Sequence, residues 1–191
     1  VSQITAEFDF LTATGSGQGR VVMTPRMLNL QFLSTVLYPA GHYAGKIMFD
    51  PRVTYPAGWT AFTALHEQGR SGDTVDYQDV PLDILVDSPV YAGRHAKNID
   101  LTPAGSKVPV RLGVVADAAK FLEARPAQVA IHKAMVEQTL KLFGAQHYDH
   151  FQFLFSLSRQ MGGNGLEHQR CSENGVGTDY FTGWNEKAGF T

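Results

Sequence analysis

The hydrophobic period of this chain changes once, near Asp117, and that change limits the architectures open to it. Up to about Ala116, short runs of β-branched and aromatic residues are broken repeatedly by Gly and Pro, the pattern of successive short strands. "LNLQFL" sets Leu28, Leu30 and Phe32 against Asn29, Gln31 and Leu33, which predicts one buried face and one partly wetted face. "VSQITAEFDFL", "YAGKIMF", "TAFTAL", "KNIDLT" and "KVPVRLGVV" read as further strands. The corners "YPAGH" and "YPAGW" separate some of them, because proline fixes φ and glycine accepts a positive one. Such strands bury their apolar faces economically as a twisted sheet or a sandwich. "TGSGQGR" superficially suggests a phosphate-cradling loop, but no helix follows it, so it reads as a flexible hairpin loop.

Beyond Asp117 the period is helical. "DAAKFLEA" opens on an acid in N-cap position and predicts a short helix, after which Pro126 suits the first turn of a second. That helix, 126–143, carries Ile131, Met135, Val136, Leu140 and Phe143 at helical spacing, and Gly144 caps it. "FQFLFSLS" then predicts a strand with Phe151, Phe153, Phe155 and Leu157 on one face. A glycine-rich turn leads to "GLEHQRCS", read as the second strand of a hairpin. The expected organisation is a mainly β amino-terminal sheet or sandwich domain over 1–116, followed by an α+β segment over 117–191.

Composition narrows the partners. A formal charge of -2 gives no electrostatic reason to expect nucleic acid or an anionic membrane, and no apolar run approaches a membrane span. The single cysteine, Cys171, excludes an internal disulfide framework and any multi-cysteine zinc site. In a predicted strand with no histidine patterned toward it, Cys171 reads as an inert thiol. Trp59 and Trp184 read as packing anchors.

Metal chemistry would be announced by two histidines one helical turn apart with glutamate after the first. "LHEQGR" begins correctly with His66 and Glu67, but Arg70 occupies the second ligand position and a guanidinium does not ligate a cation. His147 and His150 could chelate from a turn, yet without a third ligand nearby in sequence a solvated pair is the simpler reading. "MGGNGLEHQR" is different in kind. Its glycines leave an edge strand open to a pairing peptide, and Glu167 stands where a carboxylate could capture a positive amino terminus.

"GGNGLEH" at Gly162 to His168, preceded by "LFGAQHYDHFQFLFSL", resembles the segment just upstream of the zinc site in the bacterial glycyl aminopeptidase family. "LYPAGHY", "YPAGWTAFTAL" and "DILVDSPVYAG" are similar to that family's amino-terminal β domain. The resemblance implies a zinc metallopeptidase whose α+β segment begins a thermolysin-like catalytic domain, usually with a PDZ domain further on. It implies that Glu167 holds the substrate's free α-amino group, that Gly165 and Leu166 offer backbone to the substrate, and that His168 completes the substrate-side motif. The family's His-Glu-x-x-His helix does not occur in this sequence. The chain is therefore expected to be a fragment, inactive and free of zinc by itself, that works with a missing carboxy-terminal part on peptide substrates. Members are often exported, so the periplasm is the compartment the resemblance suggests. The competing reading is a self-sufficient β-rich module that binds a peptide or glycan without catalysis.

Overall fold

The computed structural model describes residues 3–161 and 163–184. Val1 and Ser2 of the expected first strand, Gly162 of the glycine-rich turn and the end of the tail lie outside them. The fold is mostly β. The first strands are β1 (Met27–Leu30), β2 (Met48–Phe49), β3 (Arg52–Thr54), β4 (Thr60–Phe62) and β5 (Glu67–Ser71). They are followed by β6 (Thr74–Tyr77), β7 (Val80–Pro81), β8 (Val90–Gly93) and β9 (Ala96–Asp100). The remaining strands are β10 (Val110–Ala116), β11 (Phe151–Leu157), β12 (Gly165–Glu167) and β13 (Cys171–Val176). Helices α1 (Phe32–Thr35) and α2 (Leu82–Val86) are short, while α3 (Pro126–Phe143) is the one long helix among the described residues.

The largest sheet has the order β12-β13-β11-β10-β9. Strands β10, β11 and β13 run parallel to one another, with β9 and β12 antiparallel at the two edges. This sheet draws strands from both sides of residue 116. β10 and β11 are buried on both faces, as parallel strands usually are. On one face, Leu112, Val114, Phe155 and Leu157 pack with Val136 of α3. On the other, Val115 and Leu154 meet Met27, Phe62 and Tyr91 of a second sheet, ordered β1-β8-β4. A further core around Trp59, Tyr77, Leu85 and Val90 fills the amino-terminal region, and Trp59 packs there as expected.

Helix α3 has the predicted bounds for identifiable reasons. Pro126 occupies its first turn, the Gln128 side-chain oxygen accepts the Arg125 N–H at 2.7 Å, and Gly144 closes the helix at φ 67°. The aromatic face of "FQFLFSLS" also lies where alternation predicts.

Several expected elements differ. Residues 3–13 pair with no strand, and Ile4 and Leu11 are exposed; alternation gives a segment strand character, but no described sheet edge accepts it. "YAGKIMF" contributes only a 3-10 turn and β2, and "DAAKFLEA" forms a single 3-10 turn, Ala119–Leu122. In "LNLQFL" Phe32 is buried and Leu28 and Leu30 pack against the same core, as expected, but Asn29 on the opposite face is buried more deeply still, its amide hydrogen-bonded inside the protein. "GLEHQRCS" splits into β12 and β13, so the hairpin lies within that segment rather than between it and β11.

Gly113 shows how closely the two sheets approach. A Cβ at this position would overlap the side chain of Phe62. Gly113→Ala is expected to destabilise the fold by about 1–3 kcal/mol, the usual cost of overpacking. Denaturant midpoints measure it, and Phe62→Leu in the same chain should recover part of the loss.

Candidate functional site

β12 is the edge strand of the largest sheet, and its three residues are exposed. Its register pairs Gly165 with Asn174, Leu166 with Glu173 and Glu167 with Ser172. Opposed residues share a face, so Glu167 stands with Ser172 and Asn174 while Leu166 stands with Glu173 on the other side. The Glu167 face looks onto an apolar groove of about 660 Å³ between the sheet and α3, walled by Met135, Leu140, Phe143, Tyr148 and Phe153. Glu167 is therefore a carboxylate on the rim of a largely apolar groove.

The hydrogen-bond pattern decides which backbone groups β12 can offer. His168 N–H donates to Cys171 O at 2.9 Å and Gly175 N–H donates to Asn164 O at 2.8 Å. Even-numbered residues of this segment thus face β13, and the alternation leaves the N–H and C=O of Gly165 and Glu167 on the open edge. Leu166, expected to present its backbone alongside Gly165, is turned toward β13. The ledge consists of Gly165 and Glu167.

His168 is not on the groove. Its Nδ1 lies 2.8 Å from Asp87 Oδ1 and its Nε2 lies 3.2 Å from Glu173 Oε1. Asp87 also accepts the Gln169 N–H at 2.8 Å, so the end of α2 fixes the turn between β12 and β13. The His168 ring bridges the Asp87 and Glu173 carboxylates and so ties this turn to the amino-terminal region.

Glu173, which stands in no recognisable motif, is the best-connected side chain of the site. It is 0% exposed. Asn29 Nδ2 donates to it at 2.7 Å, Gln31 Nε2 at 2.9 Å and Tyr91 Oη at 3.1 Å. Arg20, from the "TGSGQGR" loop region, approaches to 3.8 Å. Burial alone would push this carboxyl up, but hydrogen bonds from Gln31, Asn29, His168 and Tyr91 prevail and hold it below the usual glutamate value. Tyr91 remains a phenol because burial, and then the charge of Glu173, push it well above its usual range. Asn164 Nδ2, just before β12, also donates to Glu173 at 3.4 Å, and His168, just after it, lies 3.2 Å away, so this buried carboxylate holds both ends of the strand that carries Glu167.

The other candidates fall into two groups. Cys171 is fully buried against the same region, and burial pushes its thiol far up, so it is no nucleophile. Trp184 stacks edge-on with Tyr180 at 5.5 Å, a packing role. His147 accompanies Glu167 along the groove, with Nε2 3.0 Å from Gln169 O. His150 is instead beside His66, ring centroids 4.5 Å apart, with Asp149 bridging the two. Partial burial opposes ionisation of Asp149, but His66, Arg170 and His150 together bring its carboxyl down to about 2. Glu67 opens β5 and His66 immediately precedes it, so neither lies in a helix, in keeping with the rejection of "LHEQGR" as a helical zinc motif.

Residues 2–94 match the model of the Peptidase M61 N-terminal domain. No curated protein matches the chain. Among solved structures, it is similar to an aminopeptidase N family protein from Idiomarina loihiensis, with a TM-score of 0.63 and 16% identity over 82% of this chain and 26% of that one. It also aligns with an M1 zinc metallopeptidase from Deinococcus radiodurans, at a TM-score of 0.44 and 17% identity over 67% of this chain and 30% of that one. The likeness to the Idiomarina protein establishes a shared fold, and this chain spans about a quarter of that protein's length.

Proposed function

We propose that this chain is part of a zinc-dependent aminopeptidase and supplies the strand that receives the amino terminus of a peptide substrate. The observation that carries this reading is the exposed edge strand Gly165–Glu167, with its carboxylate on the rim of an apolar groove. An extended peptide could pair with the free backbone groups of Gly165 and Glu167, its ammonium group meeting the Glu167 side chain in a charge-assisted hydrogen bond. That contact would fix the register, so that only the first peptide bond reaches the reacting centre. The match to the Peptidase M61 N-terminal domain and the fold shared with an aminopeptidase N family protein support the assignment. The preference for small first residues such as glycine follows from the resemblance of the Gly-Leu-Glu-His segment.

Zinc would supply the hydrolytic chemistry in the complete enzyme. The exposed apolar side chains of Leu142 and Phe143 at the end of α3 suit a surface covered by the rest of such an enzyme.

The test compares glycyl peptides with the same peptides acetylated at nitrogen, using the complete polypeptide. Acetylation removes the positive charge that Glu167 is proposed to bind, so turnover should fall by about two orders of magnitude or more. Equal turnover of the blocked peptides would overturn the reading. Binding without turnover of either form would favour the non-catalytic peptide-binding module.

A further inference from the structure

His150 Nε2 lies 2.9 Å from the carbonyl oxygen of Ala64. A carbonyl only accepts, so this nitrogen carries a hydrogen and, in a neutral ring, Nδ1 carries the lone pair. Nδ1 faces the Asp149 carboxylate at 3.0 Å, where two acceptors would repel unless a proton or a cation joins them. The other oxygen of the same carboxylate lies 3.0 Å from His66 Nε2. One ligand atom from each residue lies within 4.8 Å of the other two. Three donors on a tetrahedral zinc ion are about 3.4 Å apart, so small side-chain rotations would bring these atoms into its coordination shell.

We propose that His66, Asp149 and His150 form a binding site for a divalent transition-metal cation of the zinc class. Two imidazoles and a carboxylate are the donor set such ions favour over calcium or magnesium. The Ala64 carbonyl supplies the outer contact that typically orients a ligating imidazole. Entry is open, because the His66 and Asp149 side chains are 44% and 53% exposed. The site borders a cavity of about 580 Å³ that Arg70 and Arg111 also line, so the fourth coordination position can take water or a small anion. One cation already competes: Arg170 Nε lies 3.6 Å from Asp149 Oδ1, on a partly exposed side chain that can turn aside. Sequence spacing concealed the site, since His66 and Asp149 are 83 positions apart. Occupied, it would pin the segment entering β5 to the turn entering β11. The proposal does not depend on the aminopeptidase reading.

The experiment titrates the chelator-treated 191-residue chain with zinc chloride by calorimetry, and with cobalt chloride by visible absorption. One equivalent should bind, cobalt should give the intense bands of a four-coordinate site, and zinc should raise the unfolding temperature. His66→Ala and Asp149→Asn should each weaken binding at least about 10-fold and abolish the cobalt bands. His66 is exposed, so its variant should keep the wild-type circular dichroism and isolate the ligand effect. His42→Ala, at an exposed histidine outside the cluster, should change nothing. Absence of stoichiometric binding, or binding unaltered by His66→Ala, would show that the three residues are only a hydrogen-bonded clip.

Discussion

Glu173→Ala is expected to destabilise the protein by about 3–5 kcal/mol, among the largest effects of any single side chain in the site. The carboxylate is fully buried, and its removal would strand the amide donors of Asn29 and Gln31 and the hydroxyl of Tyr91 in a space that water does not freely enter. Glu173→Gln keeps the volume but turns one acceptor into a donor facing other donors, for an expected loss of about 1–3 kcal/mol. The pH dependence has a definite sign. The folded-state carboxyl lies below its ordinary value of 4.5, so its stabilisation is fully present above 4.5 and is lost as pH falls through the lower folded value. Wild type and Glu173→Gln should therefore differ most near neutrality and converge in acid. Urea denaturation over that range measures both effects, and a parallel offset at every pH would remove Glu173 from the acid limb.

Asn29 and Glu173 also show why part of the site was hidden in the sequence. Alternation in "LNLQFL" places Leu28, Leu30 and Phe32 toward the core, where they are found, but leaves Asn29 on the wetted face, because period-two reasoning equates burial with apolarity. Here the chain buries Asn29 beneath a carboxylate 144 positions away, and a satisfied polar pair leaves no hydrophobic signature. The same blindness applies to His66 and Asp149, which meet only through the fold. What depends on local chemistry was legible. Pro126 and Gly144 delimit α3, the aromatic face of β11 follows from its alternation, and the glycines around Asn164 precede an edge strand ending in Glu167. The split of "GLEHQRCS" was not, because the turn is fixed by Asp87 accepting from His168 and Gln169, a contact made across the fold.

Glu167→Ala in the complete polypeptide is expected to lower kcat/KM on glycyl peptides by about 10²–10³-fold. A charge-assisted hydrogen bond to an ammonium group contributes about 1.5–3 kcal/mol, and misplacement of the scissile bond adds to that loss. Glu167 is exposed and its side chain makes no hydrogen bond among the described residues, so stability should change by no more than about 0.5 kcal/mol. That contrast separates binding from architecture. A Glu173 variant should lose activity together with its unfolding midpoint, because the strand opposite it loosens, whereas a Glu167 variant should lose activity with the midpoint intact. Glu167→Gln retains the shape and a hydrogen-bond acceptor without the charge, and should fall between wild type and alanine if ammonium capture is electrostatic. Steady-state kinetics beside thermal unfolding on the same preparations decides the matter. Wild-type kcat/KM in Glu167→Ala would place the amino-terminus contact elsewhere and leave the ledge of Gly165 and Glu167 as an ordinary sheet edge.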